Sequence, residues 1–405
     1  MTDSFTGKKI VLGVTGGIAA YKAVEVLRLL VAAGAQVQVV MTAAAQHFVG
    51  PLTFQALSGT PVRTALFGPE ADPLEHIALG QAVDAIAVVP ATANIIGKIA
   101  SGLADDLLST LILAATRPIL LCPAMNVKMY ENPVVQENLA KLRSRGCHVL
   151  EPAEGPMACG AYGAGRLPES ADILAALACL LTPQDLAGRR ILVSAGPTQE
   201  DLDPVRFLTN RSTGKMGYAV ATVARRRGAE VTLISGPTAL PAPWGVTRQS
   251  VRSALEMQAA LEAAFPACDA LIMTAAVSDY RPAGLAEQKI KRGAPEMSVT
   301  LTHNPDIVAG LGARRQAHQV LVGFAAETQD LMVHAIAKLQ RKNLDLIVAN
   351  DVSAPDAGFA VNTNRVTILD RRGGVEALPL LTKEEVAARV LDRVVACFAE
   401  RRGQA

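Results

Sequence analysis

The sequence predicts two doubly wound, Rossmann-like α/β domains in one chain. Three observations carry this. A chain of 405 residues is more than one hydrophobic core organises. Half of its residues are hydrophobic but only 4% are aromatic, and small aliphatic side chains suit helices packed on sheets. Short apolar runs alternate with helical stretches throughout, and two of them, at residues 10–14 and 191–194, each follow a basic pair and enter a glycine turn.

The elements follow in order. In the first half, strands are predicted at 10–14, 37–40, 85–89 and 119–122, with a short one near 148–150. In the second half they fall at 191–194, 231–235, 270–274, 320–324 and 346–349. Residues 365–369 read as an additional strand at an edge, and a final helix begins near Lys383. Between the halves, residues 181–188 are rich in Pro, Gly and polar side chains, which places the boundary between domains 1–187 and 188–405. In such sheets ligands gather at the carboxyl ends of the strands.

Composition excludes several classes. A formal net charge of +2 gives no global field for nucleic acid. No apolar run approaches the roughly 20 residues that span a bilayer, and the start of the chain lacks a signal-type segment. The six cysteines form no CxxC pair and no zinc spacing. They read as reduced thiols of a cytoplasmic protein, most of them buried as small hydrophobes.

Four motifs stand out in the first half. GVTGGIAAYK, residues 13–22, joins a strand to a helix and offers backbone N–H groups to a phosphate, although a glycine turn can also be purely structural. It is not GxGxxG, and Thr42 stands where a dinucleotide site often has an acid, so a mononucleotide such as FMN fits better than NAD. VVPATAN ends a strand in small and polar residues at 91–94, where a planar ring can lie close or where Thr92 or Asn94 simply caps a helix. CPAMNVKM puts Asn126 in a turn after a strand, able to donate and accept. MACGAYGAGR sets Cys159 in a glycine-rich flap, which suits a thiol delivered over a site. His76, in LEHIAL, lies among apolar residues, where a structural histidine is the commoner reading.

Together, GGIAAYK, PATAN, PxMNxxM and ACGxxGxGR resemble phosphopantothenoylcysteine decarboxylase, a flavodoxin-like flavoprotein that decarboxylates cysteinyl groups, over most of residues 8–180. The resemblance implies FMN held by Gly16, Gly17, Ile18, Thr42, Thr92, Ala93, Asn94 and Ala124. It also implies His76 as active-site base, Asn126 as binder of the substrate carboxylate and Cys159 as proton donor.

In the second half, SAGPTQEDLDPVRFLTNRSTGKMG, residues 194–217, delivers Arg206, Asn210, Arg211 and Lys215 around a helix start near Lys215, an anion site that is not a Walker loop. AAVSDY carries Asp279 beyond a strand, with Lys289 and Lys291 ten and twelve residues on. An acid beside lysines suits a metal-bound triphosphate, or a capped turn beside a solvated face. Asn304, Pro305 and Asp306 signal a helix start, and Lys338 and Lys342 share one helix face.

These stretches resemble phosphopantothenate–cysteine ligase over residues 188–370, and the fusion in this order resembles the bacterial bifunctional enzyme. The resemblance implies CTP contacts at Met273, Thr274, Ala275, Asp279, Lys289, Asn304, Pro305, Asp306, Ile307, Phe324, Lys338 and Lys342, with Mg²⁺ at Asp279. It implies that Asn210 stabilises an acyl-cytidylate and that Lys289 takes part in the ligation. The partners it implies are 4'-phosphopantothenate, L-cysteine and CTP, in a homo-oligomer with trimeric decarboxylase contacts, dimeric ligase contacts and a dodecamer overall. A nicotinamide oxidoreductase is the rival reading, but it needs the acid that Thr42 replaces. A flavin-binding module without catalysis has no use for Cys159 on a flap or for an Asp279–Lys289 pair.

Overall fold

The computed structural model describes residues 4–67, 74–156, 160, 162–291, 297–327, 331–351 and 361–402. It divides into two compact units, Met1–Pro183 and Gln184–Ala405. The chain changes unit four residues before the predicted boundary because Gln184, Asp185 and Leu186 are already committed to the second. Leu186 is fully buried in that unit's core. Gln184 Nε2 donates to Arg226 O at 2.9 Å, and the Arg227 guanidinium pairs with Asp185.

The first unit runs β1 (Lys9–Val14), α1 (Ala20–Ala32), β2 (Gln36–Met41), α2 (Pro51–Ser58), α3 (Glu75–Gln81), β3 (Ala85–Ala91), α4 (Ala93–Ser101) and α5 (Leu107–Ala114). It continues with β4 (Ile119–Pro123), α6 (Val127–Tyr130), α7 (Pro133–Ser144), β5 (His148–Val149), β6 (Ala153–Pro156), β7 (Tyr162–Arg166) and α8 (Ser170–Leu181). Five parallel strands lie in the order β2-β1-β3-β4-β5. The order reverses after β1, which opens a crevice between the carboxyl ends of β1 and β3. Both faces are covered, so Ile10, Val11, Leu12 and Val14 are all fully buried and the strand is apolar without alternation. The glycine-rich flap is a separate antiparallel ribbon of β6 and β7 in which Gly155 faces Gly163. Cys159, between its arms, lies outside the described residues.

The second unit contains β8 (Arg190–Ala195), β9 (Gln199–Asp201), β10 (Phe207–Thr209), α9 (Lys215–Arg226), β11 (Glu230–Ser235), β12 (Thr247–Ser250), α10 (Ala254–Ala264) and β13 (Ala270–Met273). Then come β14 (Tyr280–Pro282), β15 (Leu301–His303), α11 (Ile307–Arg314), β16 (Val320–Glu327), α12 (Leu331–Arg341) and β17 (Leu346–Asp351). Last are β18 (Thr363–Asn364), β19 (Val366–Asp370), β20 (Val375–Ala377), β21 (Leu381–Thr382) and α13 (Lys383–Arg402). The main sheet has the order β12-β11-β8-β13-β16-β17-β19-β20. It is parallel from β12 to β17 and antiparallel beyond. The strand expected at an edge near 365–369 is therefore interior, because β20 pairs with its outer side.

Helix α13 packs on α9 and is more than a tail. Val386, Val390, Leu391, Val394 and Phe398 enter the same core as Val220, Val223 and Ala224. Near its end, Arg401 meets Asp345, which is 3% exposed and also takes Arg315, Arg371 and the Leu321 N–H. Cys122 and Cys268 are buried and free. Burial pushes both thiols up, Cys268 to about 12, so they stay protonated and act as small hydrophobes. Among the described residues no helix is long and apolar enough to cross a membrane.

Candidate active sites

Each unit has a cavity at the carboxyl ends of its strands. In the first unit it measures about 1010 Å³ and lies against the turn after β1. Gly16, Gly17, Ile18, Thr42, Thr92, Ala93, Asn94, Ala124 and Asn126 all line it. The turn is fixed from beneath by Thr15, whose hydroxyl donates to Pro90 O at 2.7 Å and accepts from the Thr92 hydroxyl at 3.2 Å. Thr42 caps the turn after β2, its hydroxyl accepting from Ala45 N. A Cβ at Gly16 would lie 2.4 Å from Ala44 Cβ and 2.8 Å from Ala44 C, so only glycine lets these two turns close on one another. On the rim, Ile18 and Met129 expose large apolar surface.

Asn126 caps α6, and its Oδ1 accepts from Lys128 N at 2.8 Å. The neighbouring Met125 N–H donates to Gly165 O, which ties this turn to the β6–β7 ribbon. Lys98 and Asp106 also line the cavity, paired at 2.9 Å, with Asp105 on the same lysine at 2.7 Å. Hydrogen bonds that Lys98 donates to Asp105 and then Asp106 raise its proton affinity, and it stays charged. His76 does not join this wall. It is half-buried in the first turn of α3, whose Glu75 pairs with Arg63. The donors and the close backbone turns fit the phosphate of FMN, and the apolar rim fits its ring.

In the second unit a cavity of about 550 Å³ spans the ends of β13, β16 and β17. Its lining includes Asn210, Met273, Thr274, Ala275, Asp279, Asn304, Pro305, Asp306, Ile307, Phe324, Lys338 and Lys342. Asn210 Nδ2 donates to Ala276 O and Val277 O, at 3.1 and 3.2 Å, and so stands across the segment after β13. Thr274 Oγ1 donates to Ser194 O at 2.6 Å. Asn304 Nδ2 donates to Ser278 O at 2.8 Å and its N–H to Asp279 O, which closes a turn around Asp279. Asp306 caps α11 and also takes Lys342 at 3.1 Å. The predicted helix start is thus realised two residues after Pro305.

Lys289 is exposed and lies outside this cavity's lining; Lys291 is likewise exposed. Arg206 is engaged elsewhere, with Asp203 and Ile290 O. Among the described residues no group of three or more His, Cys, Asp or Glu is arranged to hold a metal ion. A Mg²⁺ at Asp279 therefore needs phosphate oxygens among its ligands. Sequence reasoning passed over Thr15, Lys98 and Asp106 in the first cavity, and Asn350, Asn364 and Lys383 in the second. Lys98 and Asp106 stand in a charged run beside the PATAN turn, which was a usable signal; the others are brought in only by the fold.

Comparison with known proteins agrees with this division. Residues 2–182 match the flavoprotein family, and residues 186–398 match the DNA/pantothenate metabolism flavoprotein C-terminal domain. The coenzyme A biosynthesis bifunctional protein CoaBC of Vibrio cholerae is 48% identical over 392 residues, 96% of this chain and 98% of its own. The chain belongs to the family of coenzyme A biosynthesis bifunctional proteins. The Escherichia coli member of that family is 46% identical over 403 residues, 98% of this chain and 99% of its own. A solved C-terminal domain of a CoaBC protein aligns with 54% of this chain and 99% of its own, at 43% identity and a TM-score of 0.47.

Proposed function

We propose that the chain performs two successive steps of coenzyme A biosynthesis. The C-terminal unit joins 4'-phosphopantothenate to L-cysteine at the expense of CTP with Mg²⁺. The N-terminal unit, with FMN, decarboxylates the product to 4'-phosphopantetheine. The observation that carries this reading is one chain holding two different cavities at strand carboxyl ends. One is a close glycine turn with an apolar rim; the other is walled by amides, lysines and two helix N-termini.

The ligation begins from a carboxylate, which is a poor electrophile. Its oxygen attacks the α-phosphorus of CTP, pyrophosphate leaves, and the cysteine amine then displaces CMP from the acyl-cytidylate. Asn210, fixed across the carbonyls of Ala276 and Val277, supplies an amide for the mixed anhydride. Lys338 and Lys342 bring positive charge to the nucleotide, and such preorganised charge is usually the largest catalytic contribution. Asp279 would hold Mg²⁺ together with the phosphates, and the ion would offset their charge. Lys289, exposed and outside the wall in this structure, is the further lysine assigned to the ligation.

In the decarboxylation, FMN when bound would supply the redox chemistry, taking two electrons from the cysteinyl thiol to give an electron-accepting C=S group and returning them after CO₂ has left. The chain's own residues do the rest. The bond from Lys128 N fixes the Asn126 amide, whose Nδ2 end donates to the substrate carboxylate. Thr15 and Thr92 hold the turn that receives the flavin phosphate. Cys159 returns the proton. His76 lies outside its own chain's cavity, so its role as base is assigned to a neighbouring copy in a homo-oligomer, with trimeric contacts in this unit, dimeric contacts in the other and a dodecamer overall. The reading assigns both steps to the cytoplasm.

The test is a coupled assay on purified protein with 4'-phosphopantothenate, L-cysteine, CTP and Mg²⁺, read by mass spectrometry. Wild type forms 4'-phosphopantetheine, Asn210→Asp forms no cysteine adduct, and Cys159→Ser stalls after CO₂ loss. A flavin-loaded protein that yields neither adduct nor decarboxylated product refutes the proposal.

A further inference from the structure

The ligation needs a proton acceptor that the residues assigned above do not provide. When the cysteine amine attacks the acyl-cytidylate, its nitrogen becomes positively charged, and it must give up a proton before it is an amide. A base within hydrogen-bond reach speeds such a step by about 10²- to 10⁴-fold. The cavity wall of the C-terminal unit has few lone pairs to offer. Arg211, Lys338 and Lys342 are donors only. Lys215 and Lys383 already donate to Asn362 Oδ1 and Val361 O. Asp306 caps α11 and takes Lys342, and Asp279 is the carboxylate assigned to Mg²⁺.

What remains is His303, the last residue of β15 and the one imidazole among the described residues of this wall. It is exposed. Its carbonyl accepts from Arg281 Nη1 at 2.6 Å, while no hydrogen bond among the described residues engages its ring. The ring is nevertheless held in place. Tyr280 is its cross-strand partner, and the two ring centroids lie 4.5 Å apart at 34°. Arg281 Nη1 also donates to Asn304 Oδ1 at 3.1 Å, which braces the corner between β15 and α11. A fixed ring with free nitrogens is what proton transfer asks for.

Its position suits the reacting centre. Residues 276–279 leave β13 as one segment. Asn210 Nδ2 donates to the Ala276 and Val277 carbonyls. Asn304 takes the next two, Ser278 O through its amide and Asp279 O through its N–H. Successive residues of an extended segment are about 3.4 Å apart. His303, next to Asn304, therefore stands close to the amide that holds the mixed anhydride.

We propose that His303 is the general base of the ligation, an assignment that rests on the CTP-dependent reading above. A neutral ring nitrogen accepts the proton of the cysteine nitrogen as the N–C bond forms at the acyl carbon. The bond from that carbon to the phosphate oxygen of CMP then breaks. Its electron pair leaves on the phosphate, which departs as an anion and needs no proton. The imidazolium passes its proton to solvent, which the exposed ring reaches. Among side chains, imidazole is the one suited to this exchange near neutral pH.

The test separates the two halves of the ligation in the full, flavin-loaded chain. With 4'-phosphopantothenate, CTP and Mg²⁺ but no cysteine, a burst of pyrophosphate reports the acyl-cytidylate. Cysteine is then added, and CMP release is followed by rapid quench. His303→Gln keeps the size of the side chain but cannot take the proton. It should give the pyrophosphate burst at the wild-type rate and a cysteine step about 100-fold slower. His303→Ala should match it, and free imidazole should restore part of its loss without speeding wild type. His303→Gln that captures cysteine at the wild-type rate overturns the proposal. An equal loss in both halves overturns it too, since that marks a contact to the nucleotide rather than a base. A normal wild-type burst leaves the CTP-dependent reading standing in either case. Wild type that releases no pyrophosphate from CTP sinks that reading, and this inference with it.

Discussion

Gly217 offers the sharpest test of how the ligase cavity is built. It stands in the first turn of α9, directly on the end of β8. A Cβ placed there would lie 2.5 Å from Ala195 Cβ and 2.9 Å from Ser194 O, besides Thr274 Oγ1 at 2.4 Å. Two of these three neighbours, a bare methyl and a backbone carbonyl, cannot rotate away. Bringing the Ala195 contact to an ordinary 3.4 Å requires a retreat of 3.4 − 2.5 = 0.9 Å. Gly217→Ala therefore moves the N-terminus of α9 outward by about 1 Å. A backbone N–H poised about 2.9 Å from a phosphate oxygen would then stand near 3.8 Å, beyond a useful hydrogen bond. Overpacking costs about 1–3 kcal/mol, and the better helix propensity of alanine returns about 1 kcal/mol. Stability should fall modestly, while the ligase rate falls about 100-fold. Pyrophosphate release measures the ligase. Decarboxylation of added 4'-phosphopantothenoylcysteine by the same sample is the control, and should be unchanged because the N-terminal unit shares no element with α9. A Gly217→Ala protein with wild-type ligase rate would refute the reasoning.

Three further expectations follow from the same geometry. Gly16→Ala would place a Cβ 2.4 Å from Ala44 Cβ, so the protein should purify with less bound flavin, measured by visible absorbance per chain, and keep its ligase rate. Asp345→Asn keeps the shape but leaves Arg315, Arg371 and Arg401 around a neutral group; the C-terminal unit should lose about 3–5 kcal/mol in urea unfolding while the flavin signal of the other unit stays put. Lys383, with a folded pKa of about 8, binds fewer protons than the unfolded chain between about pH 8 and pH 10.4, so its contribution to stability rises with pH across that window. Relative to wild type, Lys383→Met should lack a rise of at most about 3 kcal/mol in denaturant titrations between these pH values.

Much of the fold was legible because strands covered on both faces are apolar without interruption. The predicted strand at 10–14 differs by one residue from β1, and that at 231–235 by one from β11. The illegible elements were short and polar. β12 reads Thr-Arg-Gln-Ser, with no buried residue, and the paired strands β9–β10 and β14–β15 are three residues each. Residues close to a motif in sequence, such as Gly16 and Thr42, gather in one wall because they sit at the ends of adjacent strands. Lys383 gave no such signal: it lies more than 150 residues beyond the α9 turn, and only the packing of α13 on α9 brings it there. His76 and Lys289 show the converse. Their residue types suit the chemistry, yet neither lines the cavity it was expected to serve.

The position of α13 also bears on how the chain is made. Synthesis runs from the N-terminus, and domains generally fold as they emerge. The N-terminal unit is complete by Pro183 and can fold while the rest is still being translated. The second unit lacks one side of its core, the faces of α9 that meet Val390 and Val394, and one wall of its cavity, until α13 has left the ribosome. A nascent chain stalled before Lys383 would therefore carry a complete N-terminal unit and a second sheet with an open apolar face, the form most in need of a chaperone.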